Sequence, residues 1–171
     1  IDPVLCATDG TRLMPEEDVS VFLRQLVLLA TLITPNIDEA AELTGTTPKQ
    51  VREDTEPVVR KLLRTGARAV LIKGGHLADD EAVDILGTRE DVVMFSLPRV
   101  PRRRAVHGTG CALASAIAAL MARGVPLEHA VEVAKHYVAG AISGARYVGR
   151  GSRMLDYFAP LSDDAFSPVE G

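Results

Sequence analysis

The sequence predicts an α/β fold in which a mostly parallel sheet is covered by helices, and three observations lead there. Segments of strand and helix character alternate along the chain. ARAVLIKGG, residues 67–75, is a continuous apolar run of the kind buried on both faces of a parallel sheet. VHGTGCALASAIAALMA, Val106 to Ala122, sets two glycines around a threonine, adds a cysteine, and runs into an Ala-rich apolar helix. The glycines let the backbone turn sharply, and the helix they open presents unpaired N–H groups and its positive dipole end. Such a helix start binds anions, and in open α/β sheets ligands lie beyond the C-terminal ends of the strands.

Taken in order, IDPVLCA reads as a strand ending in a turn at TDG. It opens without an initiator Met or a signal peptide, so a piece of a longer polypeptide is expected. Pro15 suits a first helical position, and Val19, Phe22, Leu23 and Leu26 come after it at i, i+3, i+4 and i+7, the spacing of an amphipathic helix. TLIT, 31–34, is a short β-rich run; Pro35 and Asn36 then start a brief helix through Leu43 that Gly45 stops. Thr47, Pro48 and Gln50 form a capping box for a helix with Val51, Val58, Leu62 and Leu63 on one face and Gly66 at its end. AVDIL and DVVMFSL are two strands joined by GTRE, a hairpin. Two long helices come next, one over 109–123 and one from near Pro126 with Leu127, Ala130, Ala134, Val138, Ala141 and Ile142 inward. The tail after Gly149 reads as loosely ordered.

A chain of 171 residues that is 47% hydrophobic supports one core, so residues 1–171 are expected to form a single domain. A net charge of −4 argues against nucleic-acid and membrane-surface partners, and no apolar run is long enough to span a bilayer. Cys6 and Cys111, far apart and outside any CxxC spacing, imply neither a disulfide framework nor a zinc cluster, which fits a reducing cytoplasm.

Three stretches carry chemistry. VLIKGGH ends a strand in Lys73, Gly74, Gly75 and His76, which is either a plain tight turn or a cation with two close-approach glycines at the ligand edge. ITPNIDEA sets Asn36 and Glu39 three apart, which is either a capping box or an amide and carboxylate that hold hydrated Mg²⁺ with its phosphates. His107, Gly108, Thr109, Gly110 and Cys111 read as a glycine-rich helix start with a small buried thiol, as an anion cradle, or as a Cys/His nucleophile pair. No orienting Asn or Asp is recognisable for such a pair, so a hydrolase ranks low. Arg102 to Arg104 form either a solvated loop or a source of positive charge for polyphosphate, and the Walker A pattern is absent.

IDPVL, LITPNIDEAAELTG, VLIKGGH and VHGTGCALASAIAALMARGVPLEHAVEVAKHYVAGAI, in this order and spacing, closely resemble the hydroxymethylpyrimidine/phosphomethylpyrimidine kinases of thiamine biosynthesis, in the ribokinase-like superfamily. The resemblance runs from Asp2 to about Gly151. It implies a ribokinase-like three-layer α/β/α fold with a mostly parallel central sheet and the N-terminal part missing. It also implies Mg²⁺- and ATP-dependent phosphorylation of 4-amino-5-hydroxymethyl-2-methylpyrimidine and then of its monophosphate. The family's phosphoryl anion hole maps to Gly108, Thr109, Gly110 and Cys111, and Cys111 stands where most ribokinase relatives carry an aspartate base. The NxxE motif maps to Asn36 and Glu39 and the strand-end aspartate to Asp2, with Asp2 and Glu39 at Mg²⁺ directly or through water. Lys73 and Gly75 line the nucleotide side. Implied partners are ATP, a small pyrimidine alcohol or its phosphate, and either a second copy of the chain or its own missing N-terminal segment.

Three departures stand out. The family's opening portion, with most of the pyrimidine pocket, is absent; Thr8 stands where a lysine is common; Val106 replaces a common threonine. Two alternatives remain: a nucleotide- or phosphate-binding module without turnover, and a pyridoxal-type kinase, whose loop more often has aspartate at position 111.

Overall fold

The computed structural model describes residues 1–7, 9–74, 80–100, 106–151 and 153–158. Two compact units, Ile1–Arg99 and Val100–Gly171, make up the chain.

In the first unit, α1 spans Glu16–Val21 and continues through a π-helical turn, Phe22–Leu26, and a 3₁₀ turn, Val27–Leu29. Pro15 takes the N-cap, one position before the expected first helical residue. The π turn holds one residue more than an α-turn, which rotates the residues beyond it by about 100°. Val27 is therefore fully buried, whereas Leu26, expected inside, is 47% exposed. Next, α2 spans Ile37–Thr44, closed by the Asn36/Glu39 capping box at its start and by Gly45 at φ 64° at its end.

The single helix expected from Thr47 to Gly66 is two: α3, Pro48–Glu53, under the predicted Thr47/Gln50 capping box, and α4, Thr55–Arg64. Pro57 explains the break. It has no N–H for the Glu53 carbonyl and its ring would clash there, so the chain leaves helix at Asp54 (φ −150°, ψ 99°) and places Pro57 in a new first turn, where no donor is needed.

Strand β1, Val70–Gly74, pairs antiparallel with β2, Glu81–Gly87, which pairs antiparallel with β3, Val92–Pro98. Val70, Leu71 and Ile72 are fully buried, so β1 is covered on both faces, as its apolar run implies. The mostly parallel sheet expected is not confirmed among the described residues, where every strand ladder is antiparallel. Parallel pairing in this unit is confined to bridges at Ile33↔Val70 and Asn36↔Lys73. Main-chain bonds flank them: Ile33 N–H to the Ala69 carbonyl (3.1 Å), Leu71 N–H to Ile33 (2.8 Å) and Lys73 N–H to Pro35 (2.8 Å). On the other side of this segment, the Thr34 N–H donates to the Ile1 carbonyl at 3.0 Å. The segment at 32–36 thus runs between β1 and residues 1–2 over too few residues to make ladders, since Pro35 lacks a donor and Asn36 already starts α2. The core joins Ile33, Val70, Ile72, Val83 and Ile85 to Val58, Val59 and Leu62 of α4.

In the second unit, α5 spans Thr109–Ala122 and α6 spans Leu127–Ser143, joined by a turn with Gly124 at φ 87°. They pack on each other, and their buried residues are Ala112, Leu113, Ile117 and Leu120 in α5 and Ala130, Val131, Ala134, Val138 and Ala141 among those of α6. The loosely ordered tail expected after Gly149 is also corrected, for residues 153–158. Here β4 is Arg146–Tyr147 and β5 is Arg153–Met154, and the two strands pair. Leu155 is 5% exposed, and the Asp156 N–H donates to the Ala141 carbonyl at 3.0 Å. An arginine and a leucine inside a polar-looking tail supply these anchors, the Arg153 guanidinium donating to the Ala145 carbonyl.

Gly87 lets α4 settle on β2, because a Cβ there would fall 2.1 Å from Val59 Cγ1. Gly87→Ala is expected to destabilise the chain by about 1–3 kcal/mol in urea unfolding, and Val59→Ala in the same background to recover part of that loss.

Candidate active site

Three neighbouring segments of the first unit run in one direction, so their C-terminal ends reach the same edge. They bring Asp2, Thr34, Asn36 and Lys73 together with Glu39 from the first turn of α2. Lys73 Nζ lies 2.5 Å from Asp2 Oδ1, and the Thr34 hydroxyl donates to that same oxygen at 2.9 Å. The Lys73 and Asp2 side chains are only 12% and 15% exposed, so solvent screens this pair little. The Asn36 N–H donates to Glu39 Oε2 at 2.7 Å, and the Glu39 N–H to Asn36 Oδ1 at 2.8 Å.

Glu39 is 7% exposed. Burial pushes its carboxyl above the ordinary range, against the pull of the Asn36 N–H and the Lys73 ammonium, while the Asp2 carboxylate adds to the rise. The cluster thus holds one ammonium and two carboxylates at the edge where α/β folds bind ligands. Both of Asp2's hydrogen bonds fall on Oδ1. Among the described residues no group of three or more His, Cys, Asp or Glu could hold a metal ion. Asp2 and Glu39 are two carboxylates, too few to cage a metal ion with protein oxygens alone.

The second unit carries the glycine-rich helix start. Gly108 is the N-cap of this 14-residue helix, α5, at φ 84° and ψ 6°, and brings no side-chain cap to its first turn. Cys111 and His107 are exposed and Thr109 and Gly110 half-buried. Val106 is 7% exposed and bridges to Arg153.

Of the residues singled out from sequence, Asp2, Asn36, Glu39 and Lys73 come together in the first unit, and Gly108 to Cys111 stand at one helix start in the second. Thr8, Gly75, His76 and Arg102 to Arg104 lie outside the described residues. Sequence reasoning misses two polar residues. Thr34 is 2% exposed and bonds Asp2; Asp84, 6% exposed, sits opposite Lys73 in the ladder and accepts from the Gly74 N–H at 3.0 Å. A threonine in a β-rich run and an aspartate inside an apolar strand are the signals that could have found them, each being a polar group that must be satisfied once buried.

The raised carboxyl of Glu39 gives a stability prediction with a definite sign. The folded chain binds this proton more tightly than the unfolded chain, so the ionised form costs stability, and the cost shrinks as pH falls from above the raised folded value towards 4.5. Glu39→Gln keeps an acceptor for the Asn36 N–H and removes the charge. It is expected to be no less stable than the parent at pH 7 and to show a flatter stability profile above pH 4.5, measured by urea unfolding at stepped pH.

Residues 1–156 match the sequence profile of the phosphomethylpyrimidine kinase family. The chain is 40% identical over 163 residues to the hydroxymethylpyrimidine/phosphomethylpyrimidine kinase of Rhizobium meliloti, covering 92% of this chain and 60% of that protein. It is 42% identical over 163 residues to the thiamine biosynthesis bifunctional protein ThiED of Geobacter sulfurreducens, covering 95% of this chain and 33% of that protein. Among solved structures, the pyridoxal kinase from Staphylococcus aureus in complex with ADP superposes with a TM-score of 0.82 at 28% identity, over 92% of this chain and 57% of that one. The phosphomethylpyrimidine kinase from Clostridium difficile gives 0.65 at 36% identity, over 82% and 55%. These neighbours are ribokinase-like α/β kinases, which fixes the fold class. The chain spans at most about three fifths of the length of these relatives. With a family profile matched over residues 1–156 and the GTGC helix start in place, the chain belongs to the phosphomethylpyrimidine kinase family.

Proposed function

We propose that the chain is the nucleotide-binding and catalytic portion of a cytoplasmic kinase of thiamine diphosphate biosynthesis. It moves the γ-phosphoryl group of ATP onto 4-amino-5-hydroxymethyl-2-methylpyrimidine and then onto the monophosphate. The observation that carries this reading is the GTGC helix start of α5, with Gly108 in the left-handed region and no side-chain cap over the first turn. The names of the relatives and the ADP bound in a structural neighbour support it.

Phosphoryl transfer asks chiefly for positioning and for stabilisation of charge on the moving group. The substrate hydroxyl oxygen forms a bond to the γ-phosphorus, the bond from that phosphorus to the bridging oxygen of ADP breaks, and the hydroxyl proton must leave. In the second unit, the N–H groups at the start of α5, from Gly108 through Cys111, donate to the transferring oxygens, and the Cys111 sulfur takes the proton. In the first unit, Lys73 holds phosphate oxygens, Gly75 lines the nucleotide side, and Asn36 and Glu39 keep the start of α2 in place beside them. Asp2 and Glu39 would hold Mg²⁺ directly or through water, and the ion would there neutralise phosphate charge.

A second reading is pyridoxal phosphorylation, favoured by the likeness to a pyridoxal kinase at a TM-score of 0.79 and 27% identity, in complex with AMP-PCP and pyridoxal. A coupled ADP-release assay offering each alcohol separates the two. With the chain extended to the full length of its relatives, the pyrimidine is expected to drive ADP release and pyridoxal to do so weakly; no pyrimidine-dependent release from that full-length protein overturns the first reading. Cys111→Ala is expected to lower kcat by about a hundredfold or more while changing the KM for ATP little, as removal of a general base does.

A further inference from the structure

We propose that β3 is an interface strand, along which two copies of the chain join their sheets edge to edge about a two-fold axis at Phe95. The inference goes beyond the kinase reading, and neither needs the other.

Among the described residues β3, Val92–Pro98, has β2 on one side and no strand on the other. Two hydrogen bonds at its ends tell which of its main-chain groups are left over. The Thr88 N–H donates to the Asp91 carbonyl at 2.8 Å, and the Arg99 N–H to the Asp80 carbonyl at 2.9 Å. Main-chain groups alternate sides along a strand, so those of Asp91, Val93, Phe95, Leu97 and Arg99 point to β2. Those of Val92, Met94 and Ser96 point outward, and no main-chain hydrogen bond reaches them. Soluble proteins blunt such an edge with charge, a bulge, a proline or brevity. β3 has 7 residues, no charged side chain, an unbroken register with β2, and its proline only at the last position. Met94 is 65% exposed on it. An edge left in this state is a template for another strand.

The order of residues along the strand selects a second copy, running antiparallel. Glu90 and Asp91 precede β3, and Arg99 follows it. Antiparallel self-pairing centred on Phe95 sets Asp91 opposite Arg99 of the second copy at both ends, Val93 opposite Leu97, and Phe95 opposite itself. All of these fall at non-hydrogen-bonded positions, where facing side chains come closest. The outward groups match as well: Met94 and Ser96 exchange bonds on each side of the axis, and the Val92 N–H meets the Pro98 carbonyl. Arg99 is held at its end of the strand by an Nη2 bond to the Glu81 carbonyl at 3.1 Å, and a guanidinium has five donors. A parallel in-register copy would instead face Asp91 with Asp91 and Arg99 with Arg99, and like charges directly opposite are destabilising.

The test is made on the protein at the full length of its relatives, with the dimer dissociation constant read by analytical ultracentrifugation. Wild type is expected to dimerise; a protein that stays monomeric up to about 100 μM overturns the proposal. Ser96→Pro removes an outward N–H and spares the bonds to β2. Symmetry loses that bond twice, so the dissociation constant is expected to rise about tenfold or more. Asp91→Arg and Arg99→Asp each place like charges at both ends and are expected to weaken the dimer about tenfold, while the double swap returns it to within about threefold of wild type. Damage to folding does not produce that rescue. Dimers as tight as wild type in folded Ser96→Pro and in both single reversals overturn the proposal, and so does a double swap no tighter than the single reversals. Should the variants not fold, amide hydrogen exchange of wild type decides. Protection of the Met94 and Ser96 N–H groups that falls on dilution to monomer supports the proposal, and fast exchange of both in the dimer overturns it.

Discussion

An ammonium and a carboxylate 71 positions apart in sequence meet at 2.5 Å, and the polar edge of the first unit depends on that meeting. Taking two charges out of water is expensive, and the attraction between them offsets the cost only where geometry is good and other hydrogen bonds complete the shell. Here the geometry comes from main-chain registration. Ile1 and Asp2, the segment at 32–36, and β1 lie side by side through bonds such as Ile33 to Ala69 and Lys73 to Pro35, so Asp2 and Lys73 reach the same edge with little side-chain freedom left to lose. The fully buried Val70, Leu71 and Ile72 hold β1 in that register.

The capping box at Asn36 serves two ends. The same pair that satisfies the first N–H groups of α2 sets Glu39 against the Lys73–Asp2 pair, so helix initiation and the placement of a buried carboxylate are one event. A structural role for Asn36 and Glu39 therefore does not compete with a functional one. The hydrogen bonds of a capping box leave further carboxylate lone pairs for other uses. In the second unit the logic is inverted, since Gly108 brings no side chain and the first turn of α5 has no side-chain cap.

Much of this architecture is legible in the sequence because the physics is local. The apolar run at 67–75, the two capping boxes, the hairpin at GTRE and the stop at Gly45 depend on neighbours within a few residues, and each forms. The features that escape need longer range or finer phase. The extra residue of the π turn has no composition signal, so apolar spacing points Leu26 inward where Val27 belongs. The antiparallel direction of β2 and β3 comes from the hairpin, yet the alternation of elements argues for parallel pairing and outweighs it. Pro57 does announce the break before α4, but apolar spacing across 51–63 hides it. Thr34 and Asp84 look like ordinary strand residues until their partners from elsewhere in the fold are known. The resemblance to a kinase family supplies chemical roles for Asp2 and Lys73 that spacing alone does not.

The π turn at Phe22–Leu26 bears on how this segment tolerates changes of length. A single-residue deletion in a regular helix twists everything downstream off its face, which is why such deletions are seldom neutral inside helices. This segment already carries a surplus residue. Losing one from within it would restore a regular helix with both flanks oriented as they are now, so Phe22 and Val27 would keep their places in the core. The stretch before TLIT is accordingly a place where relatives can differ by one codon without reshaping the edge that carries Asp2 and Lys73.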